Sequence, residues 1–266
     1  THARSIISMR QLAYTLDPST PTFVQIDNTY RDFNYHIYAE SMDYSATHRY
    51  NLGQSFLAED FSAMSQLRNS TAPQPYLWVT QLYPIREKVG EHSNYNGRDP
   101  LPAEMHLQML ESLAGGSKGF IHYIHSGSKG GRGGSGLNTS LWNSMIPFHQ
   151  QIASIGDTAS HSTPVPWSTS SDPRITPQLL FSTPNDMLLV LINNSIQSTK
   201  TDCTVPDIQN ANITLNLPPY SHITTLTQIL PGGTTQPINF TQKDNILTLH
   251  PAHLDVGTIY RLQGDH

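Results

Sequence analysis

The sequence predicts an α/β unit followed by an all-β unit, and three observations carry that prediction. Over residues 1–157, apolar stripes at helical spacing alternate with short runs of β-branched and aromatic residues. Strands alternating with helices specify a parallel sheet with helices packed outside it. After Trp167 no helical stripe is convincing, and short β-rich runs recur between turn signals. Between the two textures, residues 158–172 are dense in Ser, Thr and Pro. Such a stretch marks a boundary, and it divides the chain into 1–160 and 161–266.

The first helix is expected over residues 4–16, where Ile6, Ile7, Met9, Leu12, Ala13 and Leu16 form one stripe. Asp17-Pro18-Ser19-Thr20-Pro21 stops it, because proline cannot continue a helix and biases its predecessor to extended geometry. Residues 22–26 read as a strand ending at Asp27-Asn28, and 30–42 as an irregular connection with helical turns. A second strand is expected over 44–48, with Asp43 at its start, and a helix over 56–67. The stretch 76–125 then reads as buried strand, long loop, helix and second buried strand. A glycine-rich loop, 127–136, leads to a helix over 139–155. Four strands of this kind fit half of an eight-stranded barrel or a small open doubly wound sheet. In the C-terminal part, runs at 178–182, 187–193, 211–217, 223–230, 236–241, 245–250 and 258–262 suggest an antiparallel sandwich.

Composition narrows the function classes. A formal charge of −5 with a pI near 6.2 provides no basic stripe, so nucleic acid is not an expected partner. No apolar run reaches the roughly 18 residues of a membrane span, and no membrane partner is expected. Cys203 is the single cysteine, so no internal disulfide forms. One thiol in a Lys-poor, Ser/Thr-rich chain fits a secreted or periplasmic protein. The N-x-S/T pattern occurs at Asn69, Asn138, Asn193, Asn212 and Asn239, which in so Ser/Thr-rich a chain supports no inference of a eukaryotic source. Thr1-His2-Ala3 starts directly in a helical pattern, which suggests an internal piece of a longer chain.

Ligands of parallel α/β folds sit at the carboxyl ends of the strands. Those ends carry Asp27, then His48 and Tyr50, then Gln81 and Tyr83, then His122, Tyr123 and His125. Asp27 is either a turn residue or a general base, nucleophile or hydroxyl acceptor. Glu87 and Glu91 lie in the long loop with Arg98 and either ride in solvent or fold over the cleft. Glu104 and Glu111, seven apart on the following helix, are expected on its solvated face. His122 and His125 are three apart on a strand, point to opposite faces and do not make a metal pair. Gly131 to Gly136 matches G-x-G-x-x-G, but six residues separate it from its strand and no further βαβ unit follows. It reads as a loop, and no cofactor is expected. No G-x-S-x-G elbow is present.

Several segments resemble clan A glycoside hydrolases, the (β/α)8 enzymes akin to family 42 β-galactosidases. L-D-P-S-T-P-T-F-V (16–24) resembles the segment that follows their fourth strand. Y-A-E-S-M-D-Y-S-A-T-H-R-Y (38–50) resembles the sixth strand, and P-Y-L-W-V-T-Q-L-Y-P (75–84) the seventh. The segment from Arg98 to Tyr123 resembles the seventh helix and eighth strand and is the most specific part. L-W-N-S-M-I-P-F-H-Q-Q-I (141–152) resembles the closing helix, and the final residues resemble the β-sandwich that often follows such barrels.

The resemblance implies the C-terminal half of a TIM barrel, strands five to eight, with strands one to four supplied by an N-terminal half outside this chain. It implies a glycosidase acting on an oligo- or polysaccharide through two carboxylates. The acid/base Glu would precede Thr1. The nucleophile position, at the end of strand seven, is Gln81, which cannot form a glycosyl ester. Asp27, Glu87 or Glu91 is then the replacement carboxylate, or the enzyme inverts, or the site binds sugar without cleaving it. The expected substrate contacts are His48, Tyr50, Gln81, Tyr83, Arg98, His122, Tyr123, His125 and Trp142, with Trp78 in the core.

Overall fold

The computed structural model describes residues 2–27, 32–39, 41–50, 52–53, 58–82, 87–89, 92–94, 98–123 and 139–265. Helix α1 (His2–Leu16) leads into β1 (Phe23–Asp27), α2 (Asp32–Ala39), β2 (Tyr44–His48), α3 (Ala58–Thr71) and β3 (Tyr76–Gln81). Two short strands, β4 (Glu87–Val89) and β5 (His92–Asn94), pair as a hairpin inside the segment read from sequence as a long loop. Then come α4 (Pro102–Gly115), β6 (Phe120–Tyr123), α5 (Thr139–Ala153) and the short α6 (Gly156–His161). Strands β1, β2, β3 and β6 form one sheet in that order, every pair parallel.

One face of this sheet buries Ile26, Tyr76 and Trp78 against Met64 and Leu67 of α3. The expectation that Trp78 is core holds, since it is fully buried. Asp43 is structural: its carboxylate accepts from Arg10 of α1 (2.6 Å) and from the Thr22 backbone and hydroxyl (2.8 and 2.9 Å). Those hydrogen bonds, the Thr22 amide first, hold its pKa below the usual carboxylate range.

Helix α4 is the hinge of the packing. Pro102 occupies its first turn, where the missing N–H costs nothing, and Glu104 accepts from the Leu101 amide (2.8 Å). The helix ends at Gly116, whose φ of 91° is left-handed, with Gly116 N–H bonded to Leu113 O and Ser117 N–H to Ser112 O. A Cβ at Gly116 would come within 2.6 Å of Pro164, so the glycine also permits the next segment to pass.

That segment begins with β7 (Thr163–Val165), β8 (Ser168–Ser170), β9 (Ile175–Thr183) and β10 (Asp186–Asn193). Short pieces β11 (Gln197–Ser198), β12 (Cys203–Thr204) and β13 (Ile208–Gln209) follow, then β14 (Ile213–Asn216) and β15 (Ile223–Ile229). The chain finishes through β16 (Thr235–Pro237), β17 (Phe240–Lys243), β18 (Ile246–Leu249), β19 (His253–Leu254) and β20 (Gly257–Gly264). A six-stranded sheet runs β16-β15-β20-β10-β9-β7 and a four-stranded sheet β17-β18-β14-β8, with antiparallel pairing throughout.

Strand alternation explains how both faces of β10 are used. Met187, Leu189 and Leu191 join Ile213, Leu215, Leu247 and Leu249 in a cluster shared by the two sheets. Leu188, Val190 and Ile192 join Leu107, Leu110 and Leu113 of α4 in a second cluster. A near-continuous apolar run is what a strand covered on both faces requires. At the end of β10, Asn193 is 1% exposed; its amide donates to Pro206 O and Asp255 O (both 2.6 Å), and its Oδ1 accepts from the Ser195 amide and hydroxyl.

Candidate functional site

The parallel register aligns the carboxyl ends: Asp27 lies opposite His48, His48 opposite Val79, Val79 opposite Ile121, and Gln81 opposite Tyr123. On this edge Gln25 Nε2 donates to His48 Nδ1 (2.8 Å), so a neutral His48 carries its proton on Nε2. The His48 ring stacks on Tyr50 at 4.2 Å and 25°, and Tyr50 stacks on Tyr123 at 5.9 Å and 21°. The outcome is a row of three nearly parallel rings across the ends of β2, its following loop and β6. Tyr123 is 43% exposed. Flat apolar faces edged by hydroxyl and imidazole groups suit a ligand that has both an apolar face and hydroxyls.

Gln81 lies beside this row but is 2% exposed. Its amide donates to Gln108 Oε1 (2.7 Å), and its carbonyl accepts from Gln108 Nε2 (3.3 Å). Its side-chain Oε1 accepts from the Leu52 amide (3.3 Å) and thereby holds the loop that carries Tyr50. The same loop is held from the other side, where Gly53 N–H donates to Ser198 Oγ (2.7 Å) and Ser198 donates to Glu104 Oε1 (2.5 Å).

The structure redistributes several residues expected at one site. Arg98 does not reach the ring row. It forms a fork with Glu104 (2.7 and 2.6 Å), and Nη2 also donates to the carbonyls of Thr199 and Asp202 (2.8 and 2.9 Å). Arg98 therefore ties the start of α4 to the β11–β12 turn, and the carboxylate raises its already high pKa. Glu104 and Glu111 are not on a solvated face; both are essentially fully buried.

His122 and Trp142 lie on the other side of the sheet from Tyr123. His122 Nδ1 meets Thr80 Oγ1 (2.6 Å), and its Nε2 meets Nε2 of His149 on α5 (3.1 Å). Trp142 of α5 packs edge-on to His122 at 6.5 Å. Burial, and then the nearby His149, depress His122 to about 4, so it stays neutral at ordinary pH. Neighbouring strand residues face opposite ways, so His122 and Tyr123 cannot both line the edge. Tyr83, Glu91, His125 and the glycine-rich stretch 127–136 lie outside the described residues, as do the side chains of Asp27 and Glu87.

Cys203 offers no nucleophile, because burial and then Glu104 push its thiol up to about 11. Donor atoms of Asp207, His253 and Asp255 lie within 4.8 Å of one another on the exposed surface, a grouping that sequence distance hides. A cavity of about 460 Å3 runs along α1 by Arg10 and Ser41. Arg10 bonds Asp43 just before β2, which places this cavity at the amino rim, opposite the ring row. Among the described residues, no helix is long and apolar enough to cross a membrane.

No protein-family profile matches the chain, and no curated protein matches it in sequence. Among solved structures it is similar to the cycloisomaltooligosaccharide glucanotransferase of Paenibacillus sp. complexed with cycloisomaltoheptaose. The TM-score is 0.65 at 7% identity, over 90% of this chain and 55% of that one. It also matches a glucosidase from Croceicoccus marinus, with TM-score 0.45 and 8% identity over 99% and 64% of the two chains. An Anoxybacillus α-amylase matches with TM-score 0.44 and 10% identity over 99% and 63%. This chain spans about half the length of the glucanotransferase, and the likeness to that enzyme is one of fold.

Proposed function

We propose that the carboxyl edge of the parallel sheet is a saccharide site, in a glycosidase that hydrolyses O-glycosidic bonds of an oligo- or polysaccharide. The observation that carries this reading is the row His48–Tyr50–Tyr123, laid across the strand ends where α/β folds bind ligands. The fold likeness to a glucanotransferase supports it. In this reading β1, β2, β3 and β6 are strands five to eight of a (β/α)8 barrel, and an N-terminal half supplies the other four. Residues 161–266 are an accessory sandwich, and the closer kinship is with family 42-like enzymes of clan A. Among the described residues β1 and β6 have no further strand beside them, which supports the half-barrel, since closure is what removes such edges.

Two carboxylates are needed. Asp27, in register with His48, and Glu87 and Glu91 on the loop beyond β3 are the candidates from this chain, and the acid/base belongs to the N-terminal half. In an active protein containing this chain, Asp27→Asn, Glu87→Gln or Glu91→Gln is expected to lower turnover of aryl glycosides by about 10²-fold or more. Unchanged turnover in all three removes these carboxylates from the reaction.

Gln81 favours a second reading, a sugar-binding protein without catalysis. It stands at the nucleophile position, is neutral, and is buried in bonds to Leu52 and Gln108. Oligosaccharide binding that depends on Tyr50, with no turnover on any glycoside, would select it.

A further inference from the structure

A cavity of about 380 Å3 lies between α4, α5 and the six-stranded sheet. Its walls include His106, Phe148 and Gln151 from the helices and Gln228 and Gln236 from the strands, with His253 and Asp255 also lining it. None of these residues belongs to the ring row or its loop.

The hydrogen bonds fix the chemistry of the inner wall. Gln151 Nε2 donates to the Ile229 carbonyl (2.6 Å), so its Oε1 is the atom that faces His106 Nε2 (3.0 Å). An amide oxygen only accepts, so His106 carries its proton on Nε2 and presents Nδ1 as a lone pair. Among the described residues no donor meets that nitrogen. The His106 residue is only 7% exposed, and its ring stacks on Phe148 at 4.0 Å and 3°. Gln228 is similar: its Nε2 donates to Thr258 Oγ1 (2.9 Å), which fixes the orientation of the amide and of its acceptor Oε1. An acceptor held in one orientation beside a cavity, with no donor on it among the described residues, is a hydrogen-bond position that a ligand can fill.

Among the described residues no Lys or Arg lines the cavity and Asp255 does, so the lining does not favour an anion. The acceptors call for hydroxyl donors, and Phe148, Leu230, Pro231 and Val256 provide apolar wall. The volume falls in the lower part of the range of small-molecule sites, roughly 300–1,000 Å3. We infer that this cavity binds a neutral polyhydroxy ligand of monosaccharide size, with His106 Nδ1 and Gln228 Oε1 each accepting a ligand hydroxyl. The inference does not depend on the carboxyl-edge reading.

The test is titration of the full chain with D-glucose and D-galactose in the millimolar range, followed by the imidazole ¹⁵N signals of His106 and the side-chain amide of Gln228. Saturable shifts at both groups are expected with at least one sugar. His106→Phe, which keeps the stack on Phe148 but removes the acceptor, is expected to weaken binding about tenfold. Gln236 is exposed on the edge strand β16, so Gln236→Ala reports on the cavity without disturbing the fold, and a smaller loss is expected there. The inference is overturned by the absence of a saturable shift with either sugar, by shifts confined to His48 and Tyr50, or by unchanged affinity in both variants. If His106→Phe does not fold, Gln236→Ala and the wild-type titration decide.

Discussion

Strands β10 and β1 differ sharply in burial within one chain. Every residue of β10 from Met187 to Asn193 is buried, with one face on the four-stranded sheet and the other on α4. β1 lies at an edge of the parallel sheet and leaves Phe23 51% exposed. The helix before it exposes Met9 (67%), Leu12 (61%) and Leu16 (77%). The sequences differ in the same sense: β10 is a near-continuous apolar run, whereas β1 interleaves Gln25 and Asp27 with its apolar residues. The antiparallel sheets enclose their own core, whereas the parallel sheet packs a smaller cluster against α3 and leans on the antiparallel sheets through α4.

The comparison is tested most strongly at the tie between the regions. Arg98→Ala leaves Glu104 buried without its cation and is expected to cost about 3–5 kcal/mol, read from urea unfolding. A loss below about 1 kcal/mol would mean that the two regions do not depend on this tie.

Truncations on the two sides should separate next. Leu189→Ala, in the shared cluster of the two sheets, is expected to cost about 2–5 kcal/mol. Leu12→Ala, on the exposed side of α1, should stay within about 0.5 kcal/mol. Equal losses would show that α1 is covered in solution.

Acid should strike the junction as well. Burial lowers His106 to about 4 from an ordinary 6.5. Between those values the unfolded chain binds a proton that the folded chain refuses. The stability contribution is therefore complete above pH 6.5 and is lost as pH falls toward 4, by about 3 kcal/mol. His106→Phe should flatten this part of the stability profile; an unchanged slope would assign it to other groups.

A smaller effect is expected where β20 crosses α4. A Cβ at Gly257 would lie 2.5 Å from Leu191 O and 2.7 Å from a methyl of Leu110, so Gly257→Ala should cost about 1–3 kcal/mol by thermal unfolding.

Most of the strand and helix order was legible because periodicity reports which faces are buried. Each run expected after Trp167 contains or overlaps a strand, although 236–241 is broken into β16 and β17. The hairpin β4–β5 was not legible, since Glu87–Val89 and His92–Asn94 are polar and carry no alternation. The buried carboxylates of α4 were missed for a related reason. Glu104 is polar by sequence, and its partners Arg98 and Ser198 come from a loop and from a strand 94 residues away.

The site was half legible. His48, Tyr50 and Tyr123 do meet, and nothing in their spacing shows that Tyr50 bridges the other two. His122 and Tyr123 were separable in principle, because adjacent strand residues must face opposite sides. The cavity beside His106 had no local signal, since its walls are assembled from positions 106 to 258.

The amide of Asn193 carries a consequence for covalent processing. Asn193-Asn194-Ser195 satisfies the acceptor pattern for N-linked glycosylation, which attaches a bulky group at the amide nitrogen. In the folded chain that nitrogen is already donating to Pro206 and Asp255 within the interior. Asn69, Asn212 and Asn239 are exposed and compatible with a glycan after folding. At Asn193 the order of events decides the outcome: once β10 is in place the site is closed to the transferase, and a chain modified there first could not complete β10.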